Sequence, residues 1–420
     1  MQKYIVTLLA VTTLGTGLWA ADAQQTLNFY KKELSNFPTQ SSRDTRAYAK
    51  TLAEGLETWT LQNIQQPAAQ EALLFQTRLL LRAEENGAAV VPLLHLQRLF
   101  PQTDSALLNP LISEAVSGLD ADAQAPAKTA FTQKPAASQN TIQRQADILY
   151  VLSKLSGKQF YPTARRAFES FFQRNPTYHN LNEVELWYGD LHRANGNYLA
   201  AISQYKKADE LYPNSPYQAA SLRLIGDIYA DNLHDTAAAK QTYTRVLKQF
   251  PDSKEIGTVY KHLAILDENN KQYESALLYY DKAIEHLGSA PSAYEAYRGK
   301  ADVYMKTKNY QEAYQILHKA ASIFQNDKNK SFDALVQAAD LAKMKLKDTN
   351  KYIFSLDKAL ALNTRHKQVP ELMYELGFTC EMNGQTDRAQ EVYKKLVLEY
   401  PTNRHAGRGH ARLIRLANPK

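Results

Sequence analysis

The sequence predicts an all-α fold, an α-solenoid built from helix–turn–helix hairpins. The 420 residues contain only 16 glycines, and Asn-Gly turns between alternating apolar runs are nearly absent, which favours helix over sheet. A trio recurs along the chain: a small residue, an aromatic residue or leucine four positions later, and an apolar or small residue three positions after that. Several of these segments end in an aromatic residue followed by proline, as in Phe250-Pro251 and Tyr400-Pro401.

The N-terminal segment has the features of a secretory signal. Lys3 supplies a positive charge, Ile5 to Leu18 is apolar but short and interrupted by threonine, and Ala21-Asp22-Ala23 offers small residues for cleavage. We predict a signal peptide over 1–23, with an N-terminal anchor as the alternative. No later stretch is long and apolar enough to span a bilayer. We therefore expect a periplasmic protein, with secretion as the other outcome.

Two regions follow the predicted signal peptide. Residues 24–118 form a helical region with degenerate hairpins, in which Ala89 begins a trio with Leu93 and Leu96. Residues 119–140 are rich in Ala, Gln, Pro and Ser and have little apolar periodicity. That composition predicts a flexible linker.

The main array is predicted over 141–403, with about seven repeats. Its trios are spaced by 37 or 38 residues, except for one gap of 76 in which Tyr352, Leu356 and Ala359 supply a weaker copy. The i, i+4, i+7 spacing places each trio on one helical face. The leading alanines are Ala164, Ala201, Ala239, Ala276, Ala313 and Ala389.

Turn residues separate the two helices of each predicted hairpin. Asn and Gly tolerate left-handed backbone angles, so we expect them to end the first helix and reverse the chain. The turns contain Gly196-Asn197, Asn269-Asn270, Asn309 and Asn383-Gly384. Proline, as at Pro251, is expected to end the second helix, and Asp252 or Ser253 to cap the helix that follows.

This pattern resembles the tetratricopeptide repeat, in which a small residue, an alanine, an aromatic residue and a closing proline recur. One copy matches through Gly189, Tyr198, Ala201, Tyr205, Ala208 and Pro213, and another through Leu376, Gly377, Ala389, Tyr393 and Pro401. The resemblance implies a right-handed α-solenoid that acts as an interaction scaffold and is not an enzyme. It does not identify a partner.

Motifs that carry catalysis or bind cofactors are absent from the sequence. There is no zinc-protease, phosphate-loop or nucleophile-elbow motif, so we expect no enzymatic activity, cofactor or metal. His405 and His410 are five residues apart, which suits metal ligation poorly. The single cysteine, Cys380, falls at a packing position and cannot form an internal disulfide. The net charge is +7, but export argues against nucleic acid as the partner.

The resemblance implies that the first helix of each hairpin lines a concave side, so its inward positions are candidate partner contacts. These are Arg223, Asp227, Lys261, Arg298, Asp302, Tyr374 and Phe378, with Gln337 and Leu341 at the corresponding places of one further repeat. The two i, i+4 Arg–Asp pairs either neutralise each other or form the polar middle of a peptide groove. In the groove interpretation the two aromatic residues are apolar anchors.

The last segment, 404–420, is basic and has no acidic residue. Arg408, Arg412 and Arg415 share one face if it is helical. The helix is expected to cap the solenoid with a polar outer side, or else to contact anionic lipid headgroups or polyanions.

Exported tetratricopeptide proteins of the bacterial envelope are similar in style to this sequence, among them a Tol–Pal-associated division coordinator and an outer-membrane assembly lipoprotein. The chain lacks the lipidated cysteine of the second and the coiled coil of the first. We predict a non-catalytic periplasmic scaffold for protein–protein interactions in envelope assembly or division. The alternative is a helper of polysaccharide secretion or surface assembly that binds an anionic polymer. The oligomeric state stays open.

Overall fold

The computed structural model describes residues 23–38, 41–133, 140–362 and 365–417. The predicted signal peptide, apart from Ala23, lies outside these residues. The described chain is helical and contains no β-strand, so the predicted all-α solenoid of helix pairs is confirmed. It divides into two compact units, Met1–Leu233 and His234–Lys420.

The described part of the first unit contains eleven helices, the last of which continues into a π-helical turn, Ile228–Asn232. The helices are α1 (Ala23–Ser35), α2 (Arg43–Gln62), α3 (Ala68–Arg82), α4 (Asn86–Leu99), α5 (Ser105–Ser117), α6 (Ala121–Thr132), α7 (Thr141–Ser153), α8 (Tyr161–Arg174), α9 (Leu181–Ala194), α10 (Tyr198–Leu211) and α11 (Gln218–Asp227).

The described part of the second unit contains ten helices, and α17 continues into a π-helical turn, Ala342–Leu346. The helices are α12 (Thr236–Gln249), α13 (Ile256–Asn269), α14 (Tyr273–Leu287), α15 (Ala293–Lys306), α16 (Tyr310–Ile323), α17 (Lys328–Leu341), α18 (Thr349–Leu362), α19 (Val369–Met382), α20 (Thr386–Glu399) and α21 (Arg404–Ala417).

The predicted trios form the packed face of the second helix in each hairpin. In α14, Ala276, Tyr280 and Ala283 are at most 1% exposed, and α14 packs against its first helix, α13. The same burial holds for the trios of α12, α16 and α20, and in the α18 trio Tyr352 is 3% exposed. Burying each large side chain removes apolar surface from water and contributes roughly 2–3 kcal/mol, so the trio is the main local determinant of the hairpin.

A glycine on a first helix makes room for several of the large tyrosine rings. A Cβ added to Gly377 on α19 would lie 2.6 Å from Cε1 of Tyr393 on α20. Gly299 on α15 stands equally close to the ring of Tyr280. Any larger residue at these glycines would displace a buried ring, because interiors are close-packed.

The turn between the two helices differs in one respect from the prediction. Gly196 and Gly384 do adopt left-handed φ angles, both of 74°. In two hairpins of the second unit the left-handed residue is Lys271 or Lys308, at φ of 60° and 62°, and not the neighbouring asparagine. The prediction was wrong there because hydrogen bonding fixes the left-handed place directly after the helix: the Asn309 N–H donates to the Tyr304 carbonyl at 2.8 Å.

The ends of the second helices follow the prediction. Helix α12 ends at Gln249, directly before Phe250-Pro251. The Phe250 N–H donates to the Val246 carbonyl at 2.9 Å, and proline then prevents a further helical turn. The expected cap at Asp252 or Ser253 was wrong, because the N-cap residue of α13 is Glu255 and no side chain caps the helix. Ser253 accepts a hydrogen bond from the Glu255 N–H at 3.2 Å, within the turn that precedes α13.

The flexible linker predicted at 119–140 is wrong for most of its length. Residues Ala121–Thr132 form α6, and its Ala127 and Ala130 are 0% and 3% exposed. The Arg98 guanidinium on α4 donates to the Ala130 carbonyl at 3.0 Å. Alanine is the strongest helix former, and here it packs well enough to outweigh the linker-like composition. The predicted boundaries at 118 and 141 both fall inside the first unit, and residues 134–139 lie outside the described ones.

Candidate interaction surface

The predicted partner contacts divide between the two units. Arg223 and Asp227 lie on α11 of the first unit, and the others lie on first helices of the second unit. Arg223 forms an ion pair with Asp227 along α11, and the two side chains are 19% and 10% exposed. This i, i+4 pair is therefore self-neutralising, as one of the two interpretations expected.

Lys261 on α13 is held by Glu295, a residue outside the set predicted from sequence. The Lys261 Nζ donates to Oε2 of Glu295 on α15 at 2.5 Å, and Lys261 is 8% exposed. The hydrogen bond from Lys261 is the main reason that the pKa of Glu295 lies below its ordinary value. The ion pair links the first helices of two successive hairpins, so it orders this part of the surface.

Arg298 and Asp302 do not form the ion pair that their i, i+4 spacing suggested. The Arg298 side chain is exposed and has no ion-pair partner among the described residues. Asp302 is half-buried. Burial raises its pKa above the ordinary value, and the nearby Glu268 carboxylate raises it further, while Arg298 and Lys306 act in the opposite direction. The surface therefore presents an exposed cation without an ion-pair partner among the described residues, beside a carboxylate whose charge is disfavoured by burial.

Glu268, which sequence reasoning missed, connects three helices. It accepts a hydrogen bond from the Tyr280 hydroxyl at 2.6 Å. It also forms an ion pair with Lys306 at 2.7 Å. Glu381 is equivalent near the C-terminus, with Tyr393 at 3.1 Å and Arg412 at 3.0 Å. In both cases the glutamate precedes the buried tyrosine by 12 residues, and that spacing is a signal by which the sequence could have revealed these contacts.

One predicted position is out of register. Leu341 is 4% exposed and belongs to the core of the second unit, so it does not line the surface. Asp340 is the exposed residue of this turn. Leu341 lies 39 residues after Asp302, one more than the longer of the two usual repeat spacings of 37 and 38, so the prediction overshot by one residue.

The aromatic anchors and the basic C-terminal segment belong to one cluster. Tyr374 and Phe378 on α19 stack with ring centroids 6.4 Å apart. The Arg408 guanidinium lies 4.1 Å from the Tyr374 ring centroid, and that of Arg412 lies 4.7 Å from the Phe378 centroid. Helix α21 thus covers the two rings, and Arg415 alone among the three predicted arginines remains exposed without a described contact.

The described residues offer little that would indicate catalysis. Among them, no cluster of three or more His, Cys, Asp or Glu could hold a metal ion. Cys380 is fully buried, and burial raises the pKa of its thiol, which makes it a poor nucleophile. In the part of the chain that the structure describes, no helix has the length and apolarity of a membrane span.

Comparison with known families identifies the repeating unit. Residues 155–216, 220–253, 269–337 and 371–403 match models of the tetratricopeptide repeat. The chain carries tetratricopeptide repeats. The helix pairs, the buried trios and the closing prolines described above are therefore features of this repeat. The repeat is a general scaffold for protein–protein interaction and does not by itself specify a partner.

The solved structures that this chain resembles are distant from it in sequence. A tetratricopeptide repeat protein from Parabacteroides merdae has 17% identity and a TM-score of 0.37, over 66% of this chain and 99% of that one. The C-terminal part of a repeat-containing protein from Cytophaga hutchinsonii has 19% identity and a TM-score of 0.42, over 63% and 95%. PilF of Pseudomonas aeruginosa has 17% identity and a TM-score of 0.35, over 56% and 98%. No curated protein matches.

Proposed function

We propose that this chain is a non-catalytic scaffold of the cell envelope that is exported to the periplasm and binds protein partners there. The tetratricopeptide repeats support an interaction role, and the signal-like N-terminal sequence supports export. The observation that carries the proposal is the surface around Arg298, where an exposed cation without an ion-pair partner among the described residues stands beside the half-buried Asp302. A scaffold needs charged side chains that are free to bind a partner, because side chains already paired within the chain contribute little to recognition.

The charges on this surface define what a partner would supply. The Arg298 guanidinium can donate two hydrogen bonds to a partner carboxylate in a bidentate arrangement. Asp302 would gain from a basic side chain, because burial and Glu268 disfavour its charge in the free protein. Ile265, which is 40% exposed on the neighbouring α13, offers an apolar contact. The surface therefore suits a peptide segment that presents an acidic and a basic residue close together.

The predicted role of Tyr374 and Phe378 as open anchors changes with the structure. Helix α21 covers both rings, so a partner would meet the arginines rather than the aromatic faces. We therefore place the partner contact at Arg298 and Asp302 and assign the aromatic pair to the attachment of α21.

A site-specific crosslink in intact cells tests the proposal. A photoreactive residue at position 298 is expected to capture an outer-membrane or division protein, while the same residue at Lys319, exposed on α16, is not. Arg298→Glu should then weaken the affinity of the captured protein about tenfold, the loss of roughly one charge-assisted contact. An unchanged affinity, or equal capture from both positions, would contradict the proposed surface.

The distribution of charge favours a second candidate, a helper of polysaccharide secretion that binds an anionic polymer. Residues 1–233 carry 21 Lys and Arg and 21 Asp and Glu, whereas 234–420 carry 29 and 22, so the whole net charge of +7 belongs to the second unit. Arg412 is already paired with Glu381. Salt-sensitive polymer binding that is lost in the double variant Arg408→Ala and Arg415→Ala would support this candidate.

A further inference from the structure

Three lysines of the second unit occupy backbone positions that favour glycine. Lys271, Lys308 and Lys347 have φ angles of 60°, 62° and 52°, and each follows the first helix of its hairpin. The Cβ of an ordinary residue is crowded in this region, whereas glycine adopts it freely. Gly196 and Gly384 occupy the equivalent turns of other hairpins, both at φ of 74°. Glu84 and His234 accept the same strain at two other turns, at φ of 60° and 54°. In the second unit three consecutive turns carry lysine at this strained position, which points to a use for the side chains.

The ammonium groups of these three lysines are exposed, and none has an ion-pair or hydrogen-bond partner among the described residues. This distinguishes them from many lysines of the same unit. Lysines that do form ion pairs there are Lys240, Lys261, Lys300, Lys306, Lys330, Lys343, Lys351 and Lys395. The three turn lysines are therefore available to an external anion.

Contacts between successive hairpins place the three turns side by side. Lys306, two residues before Lys308, forms an ion pair at 2.7 Å with Glu268, three residues before Lys271. Nζ of Lys345, two residues before Lys347, lies 6.0 Å from the ring centroid of Tyr310, two residues after Lys308. Lys271, Lys308 and Lys347 thus form a row, which we call the lysine edge.

An exposed apolar side chain lies at one end of the lysine edge. The π-helical turn Ala342–Leu346 presents Met344, which is 68% exposed, between Lys343 and Lys345. Such turns insert an extra residue into a helix and often occur at functional sites. Cations that flank an exposed apolar residue match the boundary of an anionic bilayer, where lysine contacts phosphate and the apolar group enters the acyl region. A soluble polyanion has no apolar region for the Met344 side chain to enter, so its binding would not depend on this residue.

We propose that the lysine edge and Met344 bind the surface of a bilayer that contains anionic lipid. This goes beyond the proposed partner surface and uses none of its residues, so Arg298→Glu should leave vesicle binding unchanged. Each lysine close to an anionic membrane strengthens binding about fivefold, so the three together account for roughly a hundredfold. The bilayer would hold the scaffold while the surface around Arg298 stays free for a protein.

Vesicle sedimentation of the full chain tests the proposal. The protein should bind vesicles of phosphatidylglycerol and phosphatidylcholine and not vesicles of phosphatidylcholine alone. The triple variant Lys271→Gln, Lys308→Gln and Lys347→Gln should bind roughly a hundredfold more weakly. The matched control is Lys248→Gln, Lys319→Gln and Lys394→Gln, which removes the same charge from exposed positions on second helices and should lose less than about tenfold. Equal losses in the two triple variants would overturn the lysine edge, as would failure of the wild-type protein to bind either vesicle.

Two further measurements separate lipid binding from unfolding and from the binding of a soluble polyanion. Replacing the three lysines by glycine should raise the thermal midpoint while it abolishes vesicle binding, because strain is relieved as charge is lost, and this excludes unfolding as the cause. Met344→Ser should weaken vesicle binding several-fold and leave any binding of dextran sulfate unchanged. If Met344→Ser has no effect on vesicles and the lysine edge binds dextran sulfate as tightly as lipid, the ligand is a soluble polyanion and the proposal of a bilayer fails.

Discussion

The two units use polar groups in different ways. In the second unit, large buried tyrosines such as Tyr280 and Tyr393 place their rings in the core and their hydroxyls on a carboxylate near the end of a first helix. Whole charged side chains are buried in both units: Glu57 and Arg98 of the first are 4% and 3% exposed, and Asp267 of the second is 2% exposed. The units differ in how far along the chain the partner of such a charge lies.

The distance along the chain between partners is shorter in the second unit. The Glu268–Lys306 contact joins successive hairpins of the second unit, at a separation of 38 residues. In the first unit Glu57 pairs with Arg166, 109 residues away. In a repeat array each repeat contacts only its neighbours, so a destabilising substitution in the second unit should affect only the adjacent hairpins. Removal of the Glu57–Arg166 ion pair should destabilise several helices.

The largest effect is expected from Tyr280→Ala. Tyr280 is 1% exposed, and truncation of a buried aromatic residue to alanine costs about 3–5 kcal/mol because it leaves a cavity. Tyr280→Phe is the control and should cost only about 1 kcal/mol, since Glu268 keeps its ion pair with Lys306. Urea titration of the full chain measures both values. Equal losses in the two variants would mean that the hydroxyl, not the ring, holds the hairpin.

The buried charge of the first unit should be nearly as sensitive. Arg166→Ala leaves Glu57, whose side chain is 6% exposed, without its countercharge and should cost about 3 kcal/mol at pH 7. The neighbouring Arg165→Ala removes only an exposed pair with Glu169 and should cost less than about 0.5 kcal/mol. The same urea titration compares the two variants.

The pH dependence of this loss has a definite sign. Burial already raises the pKa of Glu57 above its ordinary value in the presence of Arg166, and removal of the arginine raises it further. A carboxyl group with a raised folded-state pKa destabilises the fold once pH exceeds the unfolded-state value. The deficit of Arg166→Ala should therefore disappear below about pH 4 and grow as pH rises through the folded-state pKa. A deficit that does not change with pH would show that lost packing, not charge, is responsible.

The core of the second unit was predictable from sequence, whereas the contacts of its surface were not. The helical spacing of a trio such as Ala276, Tyr280 and Ala283 is enough to predict which face of the helix is buried. Phe250-Pro251 predicts a helix end, because proline sterically prevents a further helical turn. The cluster formed by Arg408 and Tyr374 depends on how α21 is placed against α19. No spacing rule within one helix contains that information, so the sequence suggested two separate sites where the structure has one.

Local rules also failed where packing overrode composition. Residues 121–132 have the composition of a linker, yet α6 forms because alanines fit against α4. Lys271 and Lys308 take the left-handed turn position although adjacent asparagines suit it better. For α6 the deciding contact lies outside the segment whose composition was considered, and for the turn it is the backbone hydrogen bond that ends the first helix, as between Asn309 and Tyr304.

A smaller effect is expected from Arg412→Ala at the end of the second unit. The change removes an ion pair with Glu381 and the stacking on Phe378, which together should cost about 1–2 kcal/mol. Arg415→Ala, at an exposed position without a described contact, should change stability by less than about 0.5 kcal/mol. Amide hydrogen exchange of α21 measures the difference, and similar protection in both variants would show that α21 is not attached through Arg412.

The smallest effect compares one turn position across the two units. Gly196 has a φ angle of 74°, and a Cβ added there would meet nothing within 4 Å, so Gly196→Lys should cost only the backbone term, about 1 kcal/mol. The reverse change in the second unit, Lys308→Gly, should stabilise the protein by a similar or smaller amount, because glycine also gains entropy in the unfolded chain. Thermal midpoints of both variants give the result. If Gly196→Lys leaves the thermal midpoint unchanged, a residue other than glycine is not strained at this turn position. The argument from backbone strain to a function of the turn lysines then fails. If the two changes have opposite signs, the second unit retains its turn lysines at the expense of stability.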